Sequence, residues 1–207
     1  MELLAELTRR RVLAIIRADS AELALTSVRT LIEAGVTALE ISLTTPGAAE
    51  ALREARAEFG PEVLLGAGTV VTPEQADEVA AAGVGFIVTP AITRGAQRSI
   101  ELGLPLLCGA LTPTEVITAL DLGALAVKIF PAKLYGPGYL KELRAPLPKA
   151  PLIAVGGIDA TSAPEYLRAG AFAVGIGSPL LGDAGQGGSQ TALAARANEF
   201  LKAVANA

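Results

Sequence analysis

One lysine of this chain stands within an apolar segment. Lys128 belongs to AVKIFP (residues 126–131), where every other residue is apolar. Burial among such neighbours disfavours the charged form of an amine, so we expect Lys128 to lose its proton more readily than a lysine in water. A neutral amine can attack a ketone and form a Schiff base. The alternative is a structural lysine whose stem follows the strand while its head reaches water.

A carboxylate in a similar setting is the second candidate for chemistry. Glu40 interrupts the apolar run ALEISL (residues 38–43). A carboxylate and an amine in one apolar chamber can act as base and nucleophile. The alternative is a structural ion pair of Glu40 with Lys128 or Arg17, since such pairs also shift pKa values. The chain has no histidine, so acid–base chemistry has to use carboxylates, lysine or bound water.

Two glycine-rich segments and one arginine are suited to binding anions. Glycine lets an anion approach backbone N–H groups closely, which predicts a phosphate site at Gly156, Gly157, Gly177 and Ser178. The alternative is that these glycines only form tight turns. The Arg17 guanidinium suits a carboxylate or a phosphate, and its alternative is an ordinary surface arginine. Thr69 ends the segment GAGT and can donate to a carboxylate or a carbonyl.

These residues stand at the ends of short apolar runs that alternate with amphipathic segments. Eight such runs follow an amphipathic segment near residues 3–11, and they are mainly apolar rather than alternating, as in parallel strands buried on both faces. We therefore predict one domain over residues 1–207, a compact (β/α)₈ TIM barrel with an extra N-terminal helix. A doubly wound open sheet is the alternative. Active sites of such barrels lie at the carboxyl ends of the strands, and alternate strands fill one interior layer. Glu40 and Lys128, on the second and sixth strands, are thus expected to face each other.

Composition excludes several classes of function. The net charge is −4 with a pI near 5.0 and no run of like charges, which argues against nucleic acid or an anionic membrane surface as partner. No apolar run is long enough to span a membrane, and the first residues lack the features of a signal peptide. Cys108 is the only cysteine, which favours a cytoplasmic location, and we expect it in the core. Without histidine we expect neither a metal nor another cofactor.

Taken in order, the segments AIIR, LEISLTTP, GAGTV, FIVTP, KIFP, VGGI and GIGS resemble the family of 2-keto-3-deoxy-6-phosphogluconate aldolases and 4-hydroxy-2-oxoglutarate aldolases. The resemblance implies a class I aldolase that acts on a phosphorylated keto acid and pyruvate, as a homotrimer without a metal. It implies that Lys128 forms the imine and that Glu40 shuttles protons through water. Thr69 and Pro90 would line the pyruvate end, and Phe130 would pack beside the imine. The glycine pairs and Ser178 would hold the phosphate.

Two positions depart from the family pattern. Thr44 stands where some members carry an arginine, so Arg17 is expected to bind the substrate carboxylate, with Thr44 beside it. Val155 stands where many gluconate-type members carry threonine, and an apolar residue there is similar to the 6-phosphogalactonate branch.

The expected reaction is cleavage of 2-keto-3-deoxy-6-phosphogluconate to pyruvate and glyceraldehyde 3-phosphate, with 4-hydroxy-2-oxoglutarate as a second substrate. The galactonate epimer is the alternative substrate. A phosphosugar isomerase or epimerase on the same barrel and a non-catalytic phosphosugar-binding regulator are the alternative functions.

Overall fold

The computed structural model describes residues 2–205 and residue 207. In this range the strands are parallel, follow the order of the sequence and close into a barrel. They are β1 (Val12–Ile16), β2 (Ala38–Ser42), β3 (Leu64–Gly68), β4 (Phe86–Val88), β5 (Leu106–Ala110), β6 (Ala126–Ile129), β7 (Leu152–Val155) and β8 (Ala173–Ile176). Pairing of β1 with β8 closes the sheet, so the predicted barrel is confirmed and the open sheet is excluded.

Helices follow the strands on the outside of the barrel, and the predicted extra helix precedes β1. They are α1 (Glu2–Arg10), α2 (Ala21–Glu33), α3 (Ala48–Phe59), α4 (Pro73–Ala81), α5 (Arg94–Glu101), α6 (Pro113–Asp121), α7 (Gly136–Arg144), α8 (Ala163–Arg168), α9 (Ser178–Leu181) and α10 (Gln190–Ala205). Short 3₁₀ helices span Ala132–Leu134 and Ala184–Gln186. None of the described helices is both long and apolar enough to cross a membrane.

Capping residues set where several helices begin. The side chains of Thr72 and Thr112 each accept a hydrogen bond from a backbone N–H of the first turn, and a proline follows each threonine. Ser20 caps α2 in the same way. These bonds satisfy N–H groups that a helix leaves unpaired at its start, and proline lacks such a group. The helices therefore begin a few residues after the strands end, and the connecting loops stay short.

The alternation of side chains along each strand separates an inner core from an outer one. Inside the barrel lie Leu13, Ile15, Ala38, Phe86, Val88, Leu107, Ala126, Ile153, Val155 and Ala173. Residues of opposite parity, such as Ile16 and Ile41, pack against the helices. Glu40 and Lys128 have the parity of the inner set, because Ala38 and Ala126 precede them by two residues. The barrel therefore holds both ionisable side chains in its interior.

Candidate active site

Lys128 lies inside the barrel with its side chain almost entirely removed from water. Only 4% of its surface is exposed, and its Nζ is 5.2 Å from the centre of the Phe130 ring. Burial is the main cause that lowers the pKa of Lys128, and the charge of Arg17 lowers it further. Glu40 acts in the opposite sense and raises that pKa. The net direction favours the neutral amine that nucleophilic attack requires.

Glu40 lies in the same interior, with 1% of its surface exposed. Burial raises its pKa, and the charges of Lys128 and Arg17 offset part of that rise. A side chain on Gly68 would collide with it, since a Cβ there would lie 2.5 Å from Oε1. Within the described range, Oε2 has no hydrogen-bond partner, and neither Lys128 nor Arg17 comes within 4.0 Å as an ion pair. The carboxyl group is thus close enough to Lys128 for each group to shift the pKa of the other, but the two form no ion pair.

A chain of three hydroxyl groups runs along the carboxyl end of β2. The Ser42 Oγ lies 2.9 Å from the Thr44 Oγ1 and 2.9 Å from the Thr69 Oγ1, and the Thr44 N–H also donates to it at 3.4 Å. Ser42 is fully buried. Since Ser42 has one proton to donate, only one threonine can accept from it and keep its own proton for a ligand. Thr69 has a φ of 63°, which turns the backbone sharply just after β3.

The predicted wall residues Pro90, Phe130 and Val155 lie at the carboxyl ends of β4, β6 and β7. Pro90 follows β4, and a Cβ on Gly109 would lie 2.1 Å from the Pro90 carbonyl oxygen. Gly109 pairs with Lys128 in the sheet, so this glycine brings the Pro90 loop toward the amine. Phe130 is 37% exposed, and its ring packs against Gly156. Val155 is buried at the end of β7 beside Gly175.

The anion-binding candidates divide into two groups. Arg17, Thr44, Gly177 and Ser178 line one cavity of about 260 Å³, together with Asp19 and Gln186. Gly156 and Gly157 do not line this cavity. They follow the adjacent strand β7, whose last paired residue, Val155, lies opposite Gly175 of β8. The predicted cradle is therefore split between a cavity wall and a neighbouring turn.

Backbone contacts fix the loop that carries Arg17. The Ala18 N–H donates to the Thr45 Oγ1 at 3.0 Å, and the Asp19 N–H donates to the Gly185 carbonyl at 2.9 Å. The Arg17 side chain itself is exposed and adds its charge to both Glu40 and Lys128. It can therefore meet an incoming anion and also bias the interior pair.

The larger of the two cavities described lies at the other end of the barrel. It measures about 910 Å³ and is lined by residues of α1 and by the beginnings of β3 and β4. None of the predicted site residues lines it. Arg10 and Arg56, which line this cavity, donate hydrogen bonds to backbone carbonyls and therefore have a structural role. Cavity size alone would therefore point to the end of the barrel opposite to the predicted site residues.

The sequence predictions missed two residues of this site. Ser42 follows Glu40 by two positions on the same strand, so strand periodicity could have identified it as an interior residue. Lys133 lies in the 3₁₀ helix that follows β6 and packs against Gly157. No pattern in the sequence indicates that contact, because the two residues follow different strands.

Comparison with known proteins identifies the family. A family model described as KDPG and KHG aldolase matches residues 3–190. The chain belongs to this aldolase family. It is similar to the 2-dehydro-3-deoxy-6-phosphogalactonate aldolase of Escherichia coli (strain K12), with 39% identity over 95% of both chains. It is 36% identical to the 2-dehydro-3-deoxy-phosphogluconate aldolase of Treponema pallidum (strain Nichols), over 78% of this chain and 77% of that protein.

One of the similar solved structures contains a covalent intermediate. It is the KDPG aldolase of Legionella pneumophila, with pyruvate captured at low pH as a covalent carbinolamine intermediate. The TM-score is 0.86 at 30% identity, over 95% of this chain and 97% of that one. The resemblance stated from the sequence is therefore confirmed at the level of the family, while both sugar epimers occur among the relatives' substrates.

Proposed function

We propose that this protein is a class I aldolase that cleaves a 2-keto-3-deoxy-6-phosphohexonate into pyruvate and glyceraldehyde 3-phosphate. The observation that carries the proposal is the interior pair: an amine that is 4% exposed, with a pKa lowered by burial, next to a carboxyl group that is not ion-paired with it. Family membership supports the same reaction type.

In the proposed mechanism the Lys128 amine adds to the C2 ketone, and loss of water gives an imine. Glu40 relays the proton from the C4 hydroxyl as the C3–C4 bond breaks. The electron pair of that bond moves into the imine, which becomes an enamine, and the aldehyde leaves. Protonation of the enamine at C3 and hydrolysis then release pyruvate and restore the amine. Phe130, Thr69 and Pro90 hold the pyruvate end in this scheme.

The anionic groups of the substrate are assigned to the rim of the barrel. Arg17 and Thr44 bind the carboxylate, and Gly156, Gly157, Gly177 and Ser178 hold the phosphate through backbone N–H groups and one hydroxyl. The common cavity of Arg17, Thr44, Gly177 and Ser178 supports an anion site there.

Borohydride reduction in the presence of pyruvate tests the mechanism. We expect a covalent adduct on the peptide that contains Lys128 and none on the peptide that contains Lys133, whose side chain is exposed. An isomerase or epimerase would give no adduct, and a regulator would release no pyruvate from the phosphorylated keto acid. Labelling at Lys133 instead would contradict the assignment of the nucleophile.

The galactonate epimer is the second candidate substrate, and Val155 is the observation that favours it. Val155 is buried at the end of β7 and has no group that could bond the C4 hydroxyl. An apolar wall discriminates by shape alone, so we expect kcat/KM for the two epimers to differ by less than about 200-fold. Val155→Thr should shift the preference toward the gluconate epimer at nearly constant volume. If Val155→Thr leaves the ratio of the two kcat/KM values unchanged, the residue at position 155 does not discriminate between the configurations at C4.

The proposed assembly is a homotrimer that works in the cytoplasm, with no nucleic acid and no membrane as partner. Exposed apolar side chains in the segments that follow β3, β4 and β6 support contacts between copies, namely Val71, Ile92, Leu134 and Tyr135. Sedimentation equilibrium measures the stoichiometry directly, and a monomeric mass would refute the trimer.

A further inference from the structure

A second lysine lies at the same end of the barrel as Lys128. Lys133 belongs to the 3₁₀ helix Ala132–Leu134, which directly follows the strand of Lys128. Its side chain is exposed, whereas that of Lys128 is buried. An exposed ammonium group in this position can offer a positive charge to an anionic substrate.

The stem of Lys133 lies across the glycine pair that follows β7. The Lys133 N–H donates to the Gly156 carbonyl at 3.1 Å. A Cβ on Gly157 would lie 2.6 Å from the Cδ of Lys133 and 2.9 Å from its Cβ. Only a glycine permits so close an approach, and the φ of 72° at Gly157 also favours glycine. The ammonium group, two bonds beyond Cδ, is therefore held near this turn.

The charge of Lys133 is available to a ligand. In the described part of the chain, no carboxylate lies within 4.0 Å of its nitrogen. The neighbouring acid is Asp159, whose carboxylate accepts hydrogen bonds from the backbone N–H and the hydroxyl of Ser162, both at 2.8 Å. These bonds are the main cause that lowers the pKa of Asp159, and Lys133 is a smaller cause. Lys133 thus also balances a negative charge that would otherwise repel an anion at this turn.

We propose that Lys133 binds the substrate phosphate and makes the enzyme selective for phosphorylated keto acids. The inference rests on the aldolase function proposed above. Gly157 follows β7 and Gly177 follows β8, which are neighbouring strands, so Lys133 lies on the β7 side of the Gly177–Ser178 cradle. Arg17 lines the same cavity as Gly177 and Ser178 but is assigned to the substrate carboxylate. Lys133 therefore supplies a separate cation for the phosphate, and a charge-assisted hydrogen bond to an ammonium group is stronger than a neutral one.

The variant Lys133→Met tests this role, because it removes the charge and keeps a stem that can pack on Gly157. The control is Lys141→Met, which makes the same charge change at an exposed position of α7. The readout is kcat/KM for the phosphorylated sugar acid divided by kcat/KM for the same acid without phosphate. We expect Lys133→Met to lower this ratio about tenfold, the effect of losing one charge-assisted hydrogen bond. Lys133→Arg should keep most of the wild-type ratio, and the control Lys141→Met should leave the ratio unchanged.

Two further measurements separate this inference from the proposed function. Calorimetric titration with inorganic phosphate requires no catalysis, and we expect weaker binding to Lys133→Met than to the wild type. Equal binding would overturn the role of Lys133, even if pyruvate release proved the aldolase activity. Ser178→Asp probes the cradle itself through like-charge repulsion. If Ser178→Asp lowers the substrate ratio and Lys133→Met does not, the phosphate lies in the cradle without help from Lys133, and the inference fails.

Discussion

At the scale of single residues, the site depends on how three charges act on one another. Lys128 and Glu40 are both driven toward their neutral forms by burial, and Arg17 acts on both from the rim. These influences have opposite signs at Lys128, because Glu40 raises its pKa and Arg17 lowers it. The arrangement therefore allows the nucleophile to be tuned in either direction by one substitution.

Glu40→Gln and Arg17→Gln should move the pKa of Lys128 in opposite directions. Loss of the carboxylate removes a cause that raises the pKa, so the inflection in imine formation shifts to lower pH. Loss of the guanidinium removes a cause that lowers it, so the inflection shifts to higher pH. The rate of imine formation with saturating pyruvate, followed against pH, measures both shifts.

Glu142→Gln serves as the control for these two variants, since Glu142 is exposed on α7. It should leave the inflection where it is in the wild type. If both site variants moved the inflection in the same direction, the electrostatic assignment would be wrong.

Ser42→Ala tests the hydroxyl chain that connects Thr44 with Thr69. Without the Ser42 hydroxyl, neither threonine has its 2.9 Å partner, and the Thr69 hydroxyl is free to turn away from a ligand. We expect the affinity for pyruvate to fall about tenfold, the effect of roughly one well-placed hydrogen bond. Pyruvate affinity is measured from the concentration dependence of borohydride trapping.

Ser99→Ala is the matched control, because Ser99 is equally buried but bonds only to the Gly95 carbonyl within α5. Both variants lose a buried hydroxyl, so both should lose some stability. Only Ser42→Ala should change pyruvate affinity. If both variants lowered pyruvate affinity equally, the role of Ser42 would be structural.

At the scale of elements, small residues inside the barrel make room for the site. Interior glycines accept the Glu40 carboxyl at Gly68, the Pro90 carbonyl at Gly109 and the Val155 side chain at Gly175. Each of these glycines lies on a strand next to the element that it accommodates. These three glycines therefore leave the space that the neighbouring site residues occupy.

Gly109→Ala should be strongly destabilising, whereas Gly138→Ala should not. A Cβ at position 109 would lie 2.1 Å from the backbone oxygen of Pro90, and backbone cannot move aside as a flexible side chain can. We expect a loss of at least about 2 kcal/mol in the free energy of unfolding, as in overpacked cores. Gly138, on α7, has no atom near its Cβ position, so alanine there should add about 0.5 kcal/mol. Urea denaturation of both variants measures the contrast, and equal stability would contradict the predicted clash.

At the scale of the whole molecule, the composition of the chain limits the ways in which it can activate a substrate. The chain has no histidine, and the described residues contain no group of three or more potential ligands among histidine, cysteine, aspartate and glutamate. Its lone cysteine is buried, and burial raises the pKa of that thiol. The imine of Lys128 is then the electron sink that the proposed reaction uses.

Excess EDTA should therefore leave the rate of pyruvate release unchanged. The imine accepts the electron pair of the breaking bond, so the proposed reaction needs no divalent ion. A zinc-dependent aldolase measured in parallel confirms that the chelator is effective. Loss of activity that a divalent ion restores would overturn the metal-free mechanism.

The sequence alone determined the barrel and its interior pair. Eight mainly apolar runs that do not alternate with polar residues, each followed by an amphipathic segment, are a local pattern that indicates buried parallel strands. The parity of Glu40 and Lys128 within their strands is equally local, because side chains alternate from one residue to the next. The prediction that both residues face each other came from their places on the second and sixth strands, and the structure shows that they share the parity of the interior residues Ala38 and Ala126.

Only the tertiary structure decided which groups touch one another at the rim. The hydroxyl contact of Ser42 with Thr69 joins residues 27 positions apart, and the packing of Lys133 on Gly157 joins residues that follow different strands. The division of the predicted phosphate residues between a cavity and a neighbouring turn is of the same kind. Such contacts depend on barrel closure and on the stagger between strands, which set the distances between loop ends. The residue pattern of a single strand gives no information on barrel closure or on the stagger between strands.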